Sequence, residues 1–348
     1  MKLKLLLLSV SLALAAHAAL AAEPARAKLT EYQLLRQIPR ERLDALMGNQ
    51  PDAKGFTGSN RTAGYWIEAG TQRGSCRGVI TGVVLDDLVR ADDAWRGIEV
   101  TFAHQRADGG FEAGDRPNGE SAKPFGAAVE TAFFFLQELG RAILVIRESP
   151  HEAHFRDRIA ALEPKIRRAG AFITTGYDNI IKDSSHDVNR IVIAAKAFGT
   201  CGLVVRDEPL IATSRKLIAH ALTLRDQEGV FIERGGRDSS YNVVSILFGT
   251  ILGLHLPIPE FDAALPAAMA WELTRIKSNG EVDASGNTRT GVGKEPSYFG
   301  EPKEVNYGEV VQALTLYGMI HDDRACLEAA DRVFKYWKSH PKLKDKFK

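Results

Sequence analysis

The chain has 348 residues, of which 45% are hydrophobic and 8% aromatic. That composition excludes a disordered chain, a collagen-like repeat and a small disulfide scaffold. Its 45 basic and 44 acidic residues give a formal charge of +1. Nothing in that balance calls for nucleic acid, whose binders carry a basic surplus.

The N-terminus reads as an address. Lys2 and Lys4 form a positive start, residues 5–16 are an apolar run, and Ala19-Leu20-Ala21 is an A-x-A cleavage site. The run is too short to span a bilayer, so residues 1–22 are expected to be a cleaved export signal. The mature protein is then expected to be soluble, periplasmic or secreted, and not membrane-bound, since no later segment reads as apolar enough to span. Losing Lys2 and Lys4 turns the formal charge of +1 into −1.

Helix-period segments fill the rest, at residues 31–47, 78–105, 127–147, 155–172, 186–198, 209–225, 239–254, 261–277, 304–320 and 324–338. Pro39 should break or kink the first. No run alternates as a strand would, and pieces such as residues 229–233 read as loop hairpins. Cys76, Cys201 and Cys326 form no C-x-x-C pair, so buried thiols are expected rather than a metal site or a disulfide framework.

Glycine turns follow several of these helices, at Gly109-Gly110, Gly229 and Gly280, and a related point falls at Gly170 and Gly176. The spacing implies a helical hairpin repeated about every 50–60 residues. Residues 23–348 are therefore expected to form one all-α domain. Its expected architecture is an (α/α) toroid, an incomplete barrel of about six helical hairpins with the glycine loops around one mouth. An open superhelix is the other arrangement of helix pairs.

Two segments concentrate polar groups. In the first, residues 177–190, Ser184 or Ser185 reads as an N-cap. His186, Asn189 and Arg190 then share one helix face near the positive end, where they could bind a carboxylate. Tyr177 and Asn179 lie just before them. The second is residues 229–242. Gly235-Gly236 turns the backbone, Asp238 or Ser239 caps the next helix, and Tyr241 falls in its first turn. Arg234 and Arg237 precede it. Adjacent cations favour a phenolate, which marks Tyr241 as a proton-transfer group. Glu130 could face the barrel centre. Lys294, Tyr298, Lys303 and Tyr307 lie in or at the end of a long Gly-rich insertion that could cover the mouth. Trp66, Trp95 and Trp271 could stack on sugars, although core packing is the default for the last two. His104 reads as structural, and His151, His154, His220, His255 and His321 show no partners in sequence.

The helix-end His/Asn followed by the Gly-to-Tyr stretch at residues 226–241 resembles the α/α-toroid polysaccharide lyases. Size, leader and segment order most resemble the glucuronan and alginate lyases of polysaccharide lyase family 38. The Asn-Asn-His-Ser-Tyr-Trp motif of a sibling alginate lyase family is absent. The resemblance implies β-elimination on an acidic polysaccharide such as glucuronan or alginate, with no cofactor or metal. It implies that Tyr241 moves the proton with Arg234 or Arg237 as partner. His186 and Asn189 would meet the uronate carboxylate or share proton transfer. Arg190, Asn179, Tyr177, Glu130, Tyr298 and Lys303 complete the expected substrate contacts. Two other readings stand beside it. An inverting glycoside hydrolase would draw two carboxylates from Asp108, Glu130, Asp178, Asp183, Glu233 and Asp238. A non-catalytic periplasmic sugar-binding protein would need none of this chemistry.

Overall fold

The computed structural model describes residues 29–117, 119, 125–297 and 299–340. The expected leader at residues 1–22 and Tyr298 lie outside them. The described residues from Glu31 onward form one compact unit. The fold is all-α, as the 3.6-residue patterning requires.

Two short helices open it, α1 (Glu31–Leu35) and α2 (Arg40–Met47), split at Pro39. A short α3 (Gly58–Ala63) and a 3-10 turn lead into α4 (Arg73–Val84). Then come α5 (Leu88–Ala103), α6 (Phe125–Glu148), α7 (Glu152–Thr175), α8 (Tyr177–Asp183), α9 (Val188–Val205) and α10 (Glu208–Thr223). The rest are α11 (Ser239–His255), α12 (Pro259–Asp262), α13 (Leu265–Thr274), α14 (Tyr307–His321) and α15 (Arg324–Ser339). The helix expected across 78–105 is in fact the hairpin of α4 and α5.

Among the described residues, five helices form an inner set: α4, α6, α9, α11 and α14. Each packs on the next, and α2 lies between α14 and α4. Each also pairs with an outer helix, respectively α5, α7, α10, α13 and α15. The inner helices are buried almost all round. Their outer partners are amphipathic, because one face meets the inner set and the other meets water. Helix α9 is long and apolar enough to cross a membrane, contrary to expectation, but most of it is buried against its neighbours. Burial of an apolar helix inside a fold needs no lipid.

The hairpin bends repeat in sequence and geometry. Asp86, Arg206 and Asp322 are left-handed, and the following Asp87, Asp207 and Asp323 cap α5, α10 and α15. The amides of those three aspartates donate to the carbonyls of Gly82, Gly202 and Gly318, at 2.8, 2.8 and 2.9 Å. This is a six-to-one helix stop followed at once by an N-cap worth about 1 kcal/mol. A Cβ on any of the three glycines would crowd Ala91, Ile211 or Leu327 of the outgoing helix. The small residue therefore sets how closely the two helices cross.

The opposite bends carry the glycine turns. Gln105 bridges Phe111, Arg225 bridges Phe231 and Ile276 bridges Val282, closing small antiparallel loops in place of strands. Gly109, Gly229 and Gly280 have φ of +92°, +83° and +90°. A side chain on Gly109 would collide with the Arg168 carbonyl oxygen of α7, and one on Gly280 with that of Arg332 in α15. Each such turn thus rests on a later outer helix. The unit after α7 departs from this pattern. Gly170 is buried inside α7 and makes no turn, and Gly176 ends the helix and leads into α8.

Cys76, Cys201 and Cys326 are buried free thiols, as expected. Burial pushes Cys201 up to about 12, which removes it as a nucleophile at neutral pH.

Candidate active site

Long loops lead into the N-terminal, positive ends of α6, α11 and α14. The polar segments expected from sequence meet at the starts of α9 and α11, joined through Arg289. Asp238 caps α11, its carboxylate accepting from the Ser240 and Tyr241 amides at 3.0 and 3.2 Å. It also accepts from the Arg289 and Thr290 amides, both at 2.8 Å. One carboxylate therefore fixes Tyr241 in the first helical turn and anchors the loop of residues 283–306 beside it.

That loop supplies the cation that Tyr241 meets. The Arg289 guanidinium lies 3.8 Å from the centre of the Tyr241 ring, and Lys303 Nζ lies 5.9 Å from it. Arg289 is 1% exposed. It donates to Glu233 Oε2 at 2.7 Å, to Asn189 Oδ1 at 3.1 Å and to Glu295 Oε2 at 3.1 Å, and lies 3.3 Å from Asp187 Oδ1. Glu233 Oε1 in turn accepts from the Asn189 amide at 2.7 Å. Asn189 is thus brought to Tyr241 through Arg289 rather than through His186.

Two carboxylates act as hubs. Asp187 contacts Arg190 at 2.9 Å, Arg289 at 3.3 Å and Arg234 at 3.5 Å. Glu295 contacts Lys303 at 3.0 Å and Arg234 and Arg289 at 3.1 Å. Arg190 also faces Glu130 at 3.6 Å, so Glu130 lies at the same rim, half-buried.

Several expectations are corrected. Helix α9 starts at Val188 with Asp187 in the cap position, and Ser184 and Ser185 belong to the preceding turn. His186 is therefore outside the helix and exposed, not on one face with Asn189 and Arg190. The local reason is that the His186 carbonyl accepts the Arg234 amide and Asp187 bridges Glu233, which holds 186–187 extended. Arg237 turns away from Tyr241 to Asp226 at 2.6 Å and Glu228 at 2.9 Å. Arg234 is left-handed at φ +50° and points to Asp187 and Glu295. Neither arginine is the partner of Tyr241. Tyr177 packs against the core, and Asn179 lies beside Gly126 at the start of α6.

The electrostatics also differ from expectation. Burial pushes the Tyr241 phenol well above its usual range; Arg289 pulls it down but does not win. Tyr241 is a neutral phenol at neutral pH, not a phenolate. Burial pushes Glu233 up to about 8 against the pull of Arg289 and the Asn189 amide. Glu295 is the reverse: burial raises it, but Arg289 and Lys303 hold it down to about 2. Among the described residues, no group of three or more His, Cys, Asp or Glu is placed to hold a metal ion.

A second polar system runs through the inner helices. Glu309 in the first turn of α14 pairs with Arg77 at 3.5 Å, and Arg77 with Glu138 at 3.4 Å. Glu138 meets Lys196 at 3.4 Å and Arg141 at 3.3 Å, and Arg141 meets Glu31 at 2.7 Å. His255 then bridges Glu31 at 2.8 Å and Glu148 at 3.1 Å. His255 was expected to lack a partner; its partners come from α1 and α6, far away in the chain. His151 and His154 likewise find Asp86 and Asp92 across helix pairs. His104 is structural, as expected, stacked on Trp66 at 3.9 Å.

No protein-family model matches the chain, and no curated protein matches it. Function therefore rests on the geometry around Tyr241. Of the residues at its centre, sequence reading missed Arg289, Asp187 and Glu295. For Arg289 and Glu295 the available signal was the long Gly-rich insertion that holds them; Asp187 lies inside the polar segment at residues 177–190 that was singled out.

Proposed function

We propose that the protein is a polysaccharide lyase acting on a polyuronate of the glucuronan or alginate type, on an α/α toroid. The carrying observation is the neutral Tyr241 at an inner-helix start, with Arg289 across its ring and Lys303, Arg190 and Arg234 around the same two carboxylates. The contact of the inner helices in sequence, with α2 between α14 and α4, supports the toroid. So does the resemblance of both polar segments to polysaccharide lyase family 38.

The chemistry uses these groups as follows. A uronate has an acidic hydrogen on C5 beside its C6 carboxylate. Loss of that proton builds enolate charge on the carboxylate, which fixed cations and helix N-termini stabilise. In this reading the exposed His186 imidazole takes the C5 proton. The C5–H electron pair becomes the C4–C5 double bond as the C4–O bond breaks. Tyr241, already a phenol, donates its proton to the departing glycosidic oxygen. The proton on His186 returns to Tyr241 through solvent, which closes the cycle with no further reactant.

Hydrolysis fits these groups less well. It needs two carboxylates free to flank the bond. Asp187, Glu233 and Glu295 are each bound to Arg289, Asp238 is a helix cap, and Asp108 is paired with Arg106. Asp178 and Asp183 are exposed on α8.

The test is ultraviolet absorbance of purified protein with glucuronan, alginate, hyaluronan and pectate. The expected result is a rise from unsaturated uronate that Tyr241→Phe abolishes. Reducing ends released without that absorbance would move the assignment to a hydrolase. Silence in both signals, with retained polymer binding, would favour a sugar-binding protein.

A further inference from the structure

Glu295 joins the loop's own cation Lys303, the Tyr241-stacking Arg289 and the segment that leads into α11. Oε1 accepts from Arg234 Nη2 at 3.1 Å. Oε2 accepts from Arg289 Nε at 3.1 Å and lies 3.0 Å from Lys303 Nζ. Three donors from three chain positions converge on one planar anion, which is the way a bound carboxylate is held.

The loop does not need this side chain for its shape. The Glu295 amide donates to the Arg289 carbonyl at 3.2 Å, the Lys303 amide to the Glu295 carbonyl at 3.1 Å and the Gly291 amide to the Lys303 carbonyl at 2.8 Å. The Asp238 carboxylate anchors residues 289 and 290 separately. Two of the three donors are also open to solvent: the Arg234 side chain is 46% exposed and that of Lys303 is 29% exposed, while Arg289 is buried behind them. Glu233, by contrast, is fully buried and serves Arg289 and Asn189 from within.

We propose that Arg234, Arg289 and Lys303 form a carboxylate subsite, and that Glu295 fills it as an internal stand-in for the C6 carboxylate of a hexuronate. Ligand and side chain then compete for the same donors. A bound uronate displaces Glu295 by a side-chain rotation, and the loop backbone stays in place. This assignment deepens the lyase reading and rests on it for the identity of the ligand, but its test needs no turnover.

The experiment measures binding of D-glucuronate by calorimetry, with D-glucose as the neutral control, to wild type, Glu295→Gln and Lys303→Gln. Glu295→Gln should bind glucuronate at least about tenfold more tightly than wild type, the factor that 1.4 kcal/mol represents, with glucose unaffected. Lys303→Gln should bind it more weakly. Equal or weaker binding by folded Glu295→Gln overturns the proposal. If that variant does not fold, unchanged affinity in Lys303→Gln overturns it instead. The two readings fail separately. Tighter glucuronate binding with no unsaturated product on any polymer removes the lyase and keeps the subsite. Unsaturated product with no gain in Glu295→Gln does the opposite.

Discussion

The Arg289 guanidinium lies face-on to the Tyr241 ring at 3.8 Å, although 48 residues of chain separate the two. The same guanidinium binds Glu233, Glu295 and the Asn189 side chain. Arg289→Ala removes all of these at once and leaves Glu233 buried without its cation. The expected loss is about 3–5 kcal/mol in chemical denaturation and roughly 100–1,000-fold in kcat. Arg289→Lys keeps the charge but loses the planar fork, so it should recover stability better than activity.

Tyr241→Phe separates chemistry from packing. The ring and its cation contact remain, and the phenolic proton is lost. Stability should change little, while formation of unsaturated product should fall by about 100-fold or more. Because burial raises the Tyr241 value, the acid stays protonated through the alkaline range. The alkaline limb of kcat should therefore not carry a step at the ordinary tyrosine value of about 10. A step there that vanishes in Tyr241→Phe would show that the phenol titrates at its ordinary value and that burial does not raise it.

Within the buried ladder, Glu138 and Lys196 should behave unequally. Glu138 serves Arg77, Arg141 and Lys196, and these cations hold its carboxyl far below the usual range against the effect of burial. Glu138→Ala leaves Lys196 without a carboxylate and Arg77 and Arg141 with one each, Glu309 and Glu31, and should cost about 3–5 kcal/mol. Burial pushes Lys196 down to about 7, despite the pull of Glu138. At neutral pH it is only partly charged, and its Nζ rests over the Phe248 ring at 4.7 Å. Lys196→Met should therefore cost less than Glu138→Ala, as urea midpoints at pH 7.5 would show.

His255 makes stability depend on pH. Burial lowers its value, but the Glu148 and Glu31 carboxylates raise it further, to about 9 from 6.5. A raised histidine contributes fully below its unfolded value and loses that contribution as pH rises through the folded one. The shift corresponds to about 3 kcal/mol at most. The difference in melting temperature between wild type and His255→Gln should be greatest near pH 6 and shrink toward pH 10. A gap that stays constant would show that the imidazolium is not what Glu31 and Glu148 require.

Much of the fold was legible in sequence. The helical periods, the break at Pro39, the glycine loops after outer helices and the Asp238 cap before Tyr241 are all local. A further repeat, a glycine five residues before a capping aspartate, was equally available at Gly82–Asp87, Gly202–Asp207 and Gly318–Asp323 but escapes a reading by hydrophobic period. These features are set by hydrogen bonds and side-chain spacing within one or two turns, so a few consecutive residues carry them.

Tertiary structure decided which charges meet. Nothing local shows that Arg289 rather than Arg234 or Arg237 covers Tyr241, or that His255 closes on Glu31. Those pairs depend on how the inner helices pack together and where the 283–306 loop returns. Burial then overrules sequence neighbours, because removing water changes the energy of a charge by more than a nearby exposed cation can restore. The sequence by itself therefore determined the helices, their bends and the place of Tyr241 in a first turn. Only the packed structure decided its partner and its protonation state, since both depend on distance and desolvation across segments the chain keeps far apart.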